Sequence, residues 1–165
     1  MLKLLDDSVI AGLIESSRNA SRRRSHHCFH ADHSETVQRM AMAAQPGTYY
    51  RPHRHLAPST WEFLIILQGC CGHLTFDESG AVLSRTELSA AGPVRGLEVA
   101  AGVWHALVAL APDTLLFEFK QGPFKPIAEA DFASWAPAEG EAAAVQFEAW
   151  FRQAGVGERP PRRAD

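Results

Sequence analysis

The sequence is poor in cysteine. It has only Cys28, Cys70 and Cys71, two of them adjacent, which is too few for a disulfide framework. A reducing, cytoplasmic setting is the expectation. Long hydrophobic runs are missing too, so no segment reads as a bilayer span. The opening Met1-Leu2-Lys3-Leu4-Leu5-Asp6-Asp7 turns acidic too early for a secretory signal. Nor is there an excess of charge. A net charge of -3 gives no electrostatic reason to expect nucleic acid or an anionic membrane as partner. Only Arg22-Arg23-Arg24 and the stretch 159–163 are locally basic. What remains is an ordinary globular composition, 46% hydrophobic and 21% charged over 165 residues, enough for one domain with a core.

Within that domain the pattern is mostly β. Asp6-Asp7-Ser8 offers N-cap chemistry ahead of Val9, Ile10, Leu13 and Ile14, which share one face of a short helix. Residues 16–35 are polar, basic and histidine-rich without a period, and are expected to form a connection or an arm on the surface. From 37 to 121, short apolar runs alternate with turn signals. The strands are predicted at 37–43, 48–55, 61–68, 71–76, 81–88, 97–99, 104–110 and 114–121. Asp77-Glu78-Ser79-Gly80 forms a hairpin turn between two of them. About eight short strands without intervening helices argue for an all-β sandwich or barrel. Near the end, Phe147, Trp150, Phe151 and Ala154 fall on one stripe of a helix beginning near Glu141 and stopped by Gly155. That stripe needs a surface to cover, either the sheet or a partner chain. The chain thus divides into a helix and arm (1–35), a barrel (36–122), a loop and helix (123–156) and a disordered tail (157–165).

One constellation carries chemistry. In His53-Arg54-His55 the two imidazoles lie on the same side of an extended chain. Glu62 stands inside the run Trp61-Glu62-Phe63-Leu64-Ile65-Ile66-Leu67, where a carboxylate is costly to bury unless a cation compensates it. His105 closes Gly102-Val103-Trp104-His105. Three imidazoles and one carboxylate can serve a single metal ion, and this donor set suits Fe(II), Zn, Ni or Mn while leaving positions open for water, dioxygen or a substrate oxygen. No separate general base stands out among the barrel residues.

The order Gly47, His53-x-His55, Glu62, Gly69 resembles the first motif of the cupin superfamily, with a longer interval between the second histidine and the glutamate. Gly102-x-x-His105 resembles the second motif, with Ala100 in place of the usual proline and Ala109 where asparagine is common. More specifically, the chain resembles the WbuC-type cupin-fold metalloproteins. The likeness is carried by Arg24-Ser25-His26 through His30, Val37-Gln38-Arg39, Gln45-Pro46-Gly47, Tyr50-Arg51-Pro52-His53-Arg54-His55, Gly102-Val103-Trp104-His105, Gly122-Pro123-Phe124 and Trp135-Ala136-Pro137. Cys28 stands where that family more often has asparagine.

The resemblance implies a double-stranded β-helix (jelly-roll) barrel holding one divalent metal, a setting in surface-polysaccharide (O-antigen) biosynthesis, and a homodimer. It favours a small anionic ligand such as a sugar or nucleotide-sugar. Arg24, His26 and His30, folded over the barrel mouth, are the residues expected to bind its anionic part, with Arg39 and Tyr50 also in reach. As an enzyme, a metal-dependent isomerase or epimerase would fit. An Fe(II)-dependent dioxygenase and a non-catalytic ligand sensor are the alternatives.

Overall fold

The structure is a computed structural model describing residues 2–56 and 60–162. Its strands form two antiparallel sheets. The larger has the order β1(Arg24–Cys28), β2(Val37–Ala44), β8(Thr114–Gln121), β3(Glu62–Gln68), β6(Gly96–Val99). The smaller has the order β5(Val82–Ser89), β4(Cys70–Phe76), β7(Trp104–Ala109). Leu64, Ile66 and Leu116 of the large sheet meet Cys71, Leu88 and Leu107 of the small one, forming a buried cluster between the sheets. The result is the expected all-β jelly roll with a helix at each end.

The helices cover the outer faces. Asp6 caps α1(Asp7–Asn19) by accepting from the Val9 N–H at 3.0 Å. Leu13 of α1 packs on Ala41, Ala43 and Leu115, the outward side of β2 and β8. At the other end, Phe147, Phe151 and Ala154 of α2(Ala143–Phe151) and its following turn are fully buried against Leu74, Phe76, Ala106 and Val108. The apolar stripe of the last helix is therefore covered by the small sheet of the same chain. No helix among the described residues is long and apolar enough to cross a membrane.

Two local expectations need correction. The aperiodic stretch 16–35 includes the last turn of α1 and contributes edge strand β1, which pairs with β2 from Arg24↔Ala44 to Cys28↔Met40. Its order comes from ladder hydrogen bonds rather than burial, so no apolar alternation marks it. Conversely, 48–55 is not a regular strand. Pro52 has no N–H to donate, and among the described residues this extended segment forms only isolated β-bridges, from His53 to His105 and to Phe132, rather than a ladder. In the segment expected as a tail, Gly157 N–H donates to Val82 O at 2.8 Å and Val82 N–H donates to Glu158 O at 2.9 Å; residues 163–165 lie outside the described residues.

Candidate metal centre

The two sequence motifs are joined by backbone. His53 N–H donates to His105 O at 3.1 Å, His105 N–H donates to His53 O at 2.9 Å, and Gly102 N–H donates to His55 O at 2.7 Å. Gly102 holds φ at +82°, the left-handed region open to glycine at little cost, and so turns the chain into β7. This clamp brings together ligand atoms of His53, His55 and His105 that all lie within 4.8 Å of one another.

Glu62 reaches the same place from β3. Its Oε1 lies 2.9 Å from His105 Nε2 and its Oε2 3.3 Å from His55 Nε2. Glu62 is 5% exposed and His105 2%, so this carboxylate has left bulk water.

Two ring orientations are fixed from behind. His53 Nδ1 is 2.9 Å from Arg51 O, and His105 Nδ1 is 2.8 Å from Val103 O. A carbonyl only accepts, so in each ring Nδ1 carries a hydrogen, and Nε2 is the nitrogen whose lone pair can meet a cation when the ring is neutral. His105 Nε2 is buried and lies off the line of a hydrogen bond despite its closeness to Glu62. An orphaned imidazole nitrogen beside a buried carboxylate is a donor pair that fits a divalent cation.

The interior field follows from burial and neighbours. Burial, and then His105, press the His53 imidazole down to about 3. Burial opposes ionisation of Glu62, yet His105, His55 and Lys120 hold it well below the usual carboxylate range. Burial alone would lower His105, but the Glu62 charge outweighs it and the net direction is up.

The structure adds three residues that sequence reasoning missed. His73 on β4 is 3% exposed, its ring stacks 5.7 Å from that of His105, and its Nε2 has no hydrogen-bond partner. Burial, then His105, push it down to about 4. Glu118 and Lys120 on β8 point inward beside Leu116. Burial, then the Glu62 charge, raise Glu118 to about 7. Lys120 Nζ lies 2.8 Å from His55 Nε2 and 3.8 Å from Glu62 Oε2.

Two voids meet at the centre. An inner cavity of about 90 Å³ is lined by Tyr50, His53, Glu62, His105, Glu118 and Lys120, among others. An outer groove of about 290 Å³ has Gln38, Arg54, His55, Lys120, Lys125 and Asp131 in its walls.

Of the residues expected to bind the ligand, Tyr50 lines the inner cavity, with its hydroxyl unpartnered. The other four line neither void and are engaged elsewhere or exposed. Arg24 pairs with Glu139 and donates to Tyr49 O at 2.9 Å. His26 is exposed on the edge strand. His30 Nδ1 accepts from the Arg39 N–H at 3.0 Å, and Arg39 pairs with Glu35.

Two sheets closed around a histidine-lined interior are the cupin jelly roll, and solved structures agree on the fold. The chain is similar to oxalate oxidase in complex with the substrate analogue glycolate, at 12% identity and TM-score 0.52, over 67% of this chain and 56% of that one. It is similar to CapF with the inhibitor 3-isopropenyl-tropolone, at 17% identity and TM-score 0.52, over 66% of this chain and 30% of that one. A cupin domain of an XRE-family transcriptional regulator from Enterobacter cloacae aligns at 12% identity and TM-score 0.47, over 61% of this chain and 98% of that one. No curated protein matches the chain. The model of one family, described as a domain of unknown function (DUF6016), matches residues 5–88, and the chain belongs to that family.

Proposed function

We propose that this protein binds one divalent transition metal through His53, His55, Glu62 and His105, and uses it to hold or transform a small anionic metabolite. The observation that carries the reading is the pair of backbone-anchored imidazoles, His53 and His105, that present Nε2 beside the buried Glu62 carboxylate. Imidazole and carboxylate donors without thiolate suit Fe, Zn, Ni or Mn. Such a metal supplies Lewis-acid polarisation of a ligand oxygen.

The chain's own residues shape what can bind. The inner cavity falls well below the roughly 300–1,000 Å³ of a site for a drug-sized ligand, whereas the outer groove approaches it. A sugar or nucleotide-sugar of surface-polysaccharide assembly, which the WbuC-type resemblance favours, would lie in the groove and insert one end. Tyr50, whose hydroxyl has no hydrogen-bond partner, and Glu118 line the inner cavity and are available to that end. Glu118, raised to about 7, can donate or accept a proton near neutrality, a property suited to an isomerase or epimerase.

A cytoplasmic homodimer completes the proposal. The same three-histidine, one-glutamate set would also serve an Fe(II)-dependent dioxygenase, which oxygen uptake by iron-loaded protein would reveal. A non-catalytic sensor would instead show ligand-induced stabilisation without turnover.

The test is metal content by mass spectrometry on tag-free protein, beside His53→Ala and His105→Ala. About one equivalent of transition metal in the parent and loss of most of it in each variant is the expected result. A parent that holds none, and takes none up on incubation, removes the metal reading.

A further inference from the structure

Lys120 stands where the proposed centre has no room for it. Its ammonium lies 2.8 Å from His55 Nε2 and 3.8 Å from Glu62 Oε2, the two donors that would also serve the metal. A ligand imidazole nitrogen has one lone pair, and a metal would use it at about 2.0–2.1 Å. One lone pair cannot serve both cations. A buried Glu62 without metal leans on His105 at 2.9 Å and His55 at 3.3 Å, and the strand register adds a permanent cation, because Glu62 of β3 stands directly opposite Lys120 of β8.

Lys120 also has somewhere to go. It is the charged side chain common to the inner cavity and the outer groove. Its four-carbon stem lets the ammonium turn from one to the other without moving the strand. In the groove walls Arg54 and Lys125 accompany it, against the single acid Asp131. Arg54 is already tied to Glu78 at 3.1 Å and to Asp131 at 3.7 Å, and stacks over Trp104 at 4.4 Å. Lys125 has no ion pair or hydrogen bond among the described residues.

We infer that the Lys120 ammonium is the resident cation of the metal-free centre, that an incoming metal displaces it into the outer groove, and that there it pairs with the oxyanion end of the ligand, a carboxylate or phosphate. The inference rests on the metal reading above. It makes metal and ligand interdependent: the metal releases the anion-binding group, and the anion keeps that group from returning to compete with the metal.

The chain has only three lysines, Lys3, Lys120 and Lys125, so lysine acetylation read by mass spectrometry reports on Lys120 without ambiguity. In metal-free protein Lys120 should be protected relative to the exposed Lys125. One equivalent of Ni2+ should raise its acetylation at least fivefold against that reference, and inorganic phosphate should reverse the rise in the Ni2+-loaded protein only. Unchanged Lys120 acetylation on metal loading overturns the displacement. A rise that phosphate does not reverse overturns the anion-pairing half.

Independently, Ni2+ affinity measured by chelator competition should be at least tenfold tighter in Lys120→Met than in the parent. Equal or weaker affinity in a folded variant overturns the competition. Should that variant not fold, the acetylation experiment on the parent protein decides. If neither protein takes up metal, the metal reading itself falls and this inference with it. If the parent binds metal but Lys120 neither competes nor moves, only this inference falls.

Discussion

The buried titratable side chains of the barrel do not pull the same way with pH. His53 and His73 stay neutral in the folded state, pushed down to about 3 and about 4 by burial. Below the ordinary histidine value of about 6.5, the unfolded chain therefore binds protons that the folded chain refuses. Folding stability is lost as pH falls, at a rate of up to roughly 1.4 kcal/mol per pH unit for each histidine. Glu62, held low, adds to the loss below the carboxylate range. Glu118 opposes the trend, because a carboxyl raised to about 7 stabilises most below its unfolded value and loses that contribution as pH climbs through 7. Chelator-treated protein should therefore melt at progressively lower temperature from pH 6.5 to pH 5. His73→Asn should flatten that slope by removing one histidine while leaving every proposed ligand in the sequence. A parallel fall in parent and variant would mean that His73 titrates in the folded state like an exposed imidazole.

At the level of elements, the outermost packing is as decisive as the barrel. Phe147 is fully buried, at 0% accessibility, and sits between Trp135, Trp150 and Phe151 on the small sheet. Phe147→Ala should cost about 3–5 kcal/mol, in line with truncations of buried aromatics. For a chain of this size that is a drop of about 6–20 °C in melting temperature. A change of a degree or two would show that α2 is not integral to the fold.

This helix was legible in the sequence because its apolar residues recur at helical spacing, and so were seven of the eight strands. His53, His55, Glu62 and His105 were readable as a set because their spacing and chemistry stand out in apolar surroundings. Lys120 and Glu118 were not. In β8 the alternation of Phe117 and Phe119 with Glu118 and Lys120 looks like an apolar inner face and a charged outer one. The fold inverts it: Phe117 packs outward with Phe29 under α1, while Glu118 and Lys120 look into the barrel. His73 was hidden for a related reason, since a lone histidine in a strand gives no sign of which face it joins.

For the whole molecule, the four-part division suggested by composition is best read as a proposal about cores rather than independent units. The 36–122 barrel supplies the centre, but α1 from the first part covers β2 and β8, and α2 from the third covers the small sheet. Residues 157–158 continue this by bonding to Val82 on β5. With both outer faces uncovered, a fragment of 36–122 would expose two apolar surfaces and is expected to aggregate rather than fold. The full chain should instead unfold in a single transition. Because the proposed ligands come from the 48–55 segment, β3 and β7, a bound metal would tie both sheets together and stabilise the whole transition by mass action. At a free metal concentration of about 100 times Kd, that linkage amounts to about 2.7 kcal/mol. It should raise the melting temperature by about 5–10 °C for a domain of this length. Differential scanning calorimetry with and without Ni2+ reads both quantities at once. One peak that moves as a unit supports a single cooperative body built around the centre, whereas two peaks, with only one displaced by metal, would separate the helices from the barrel they cover.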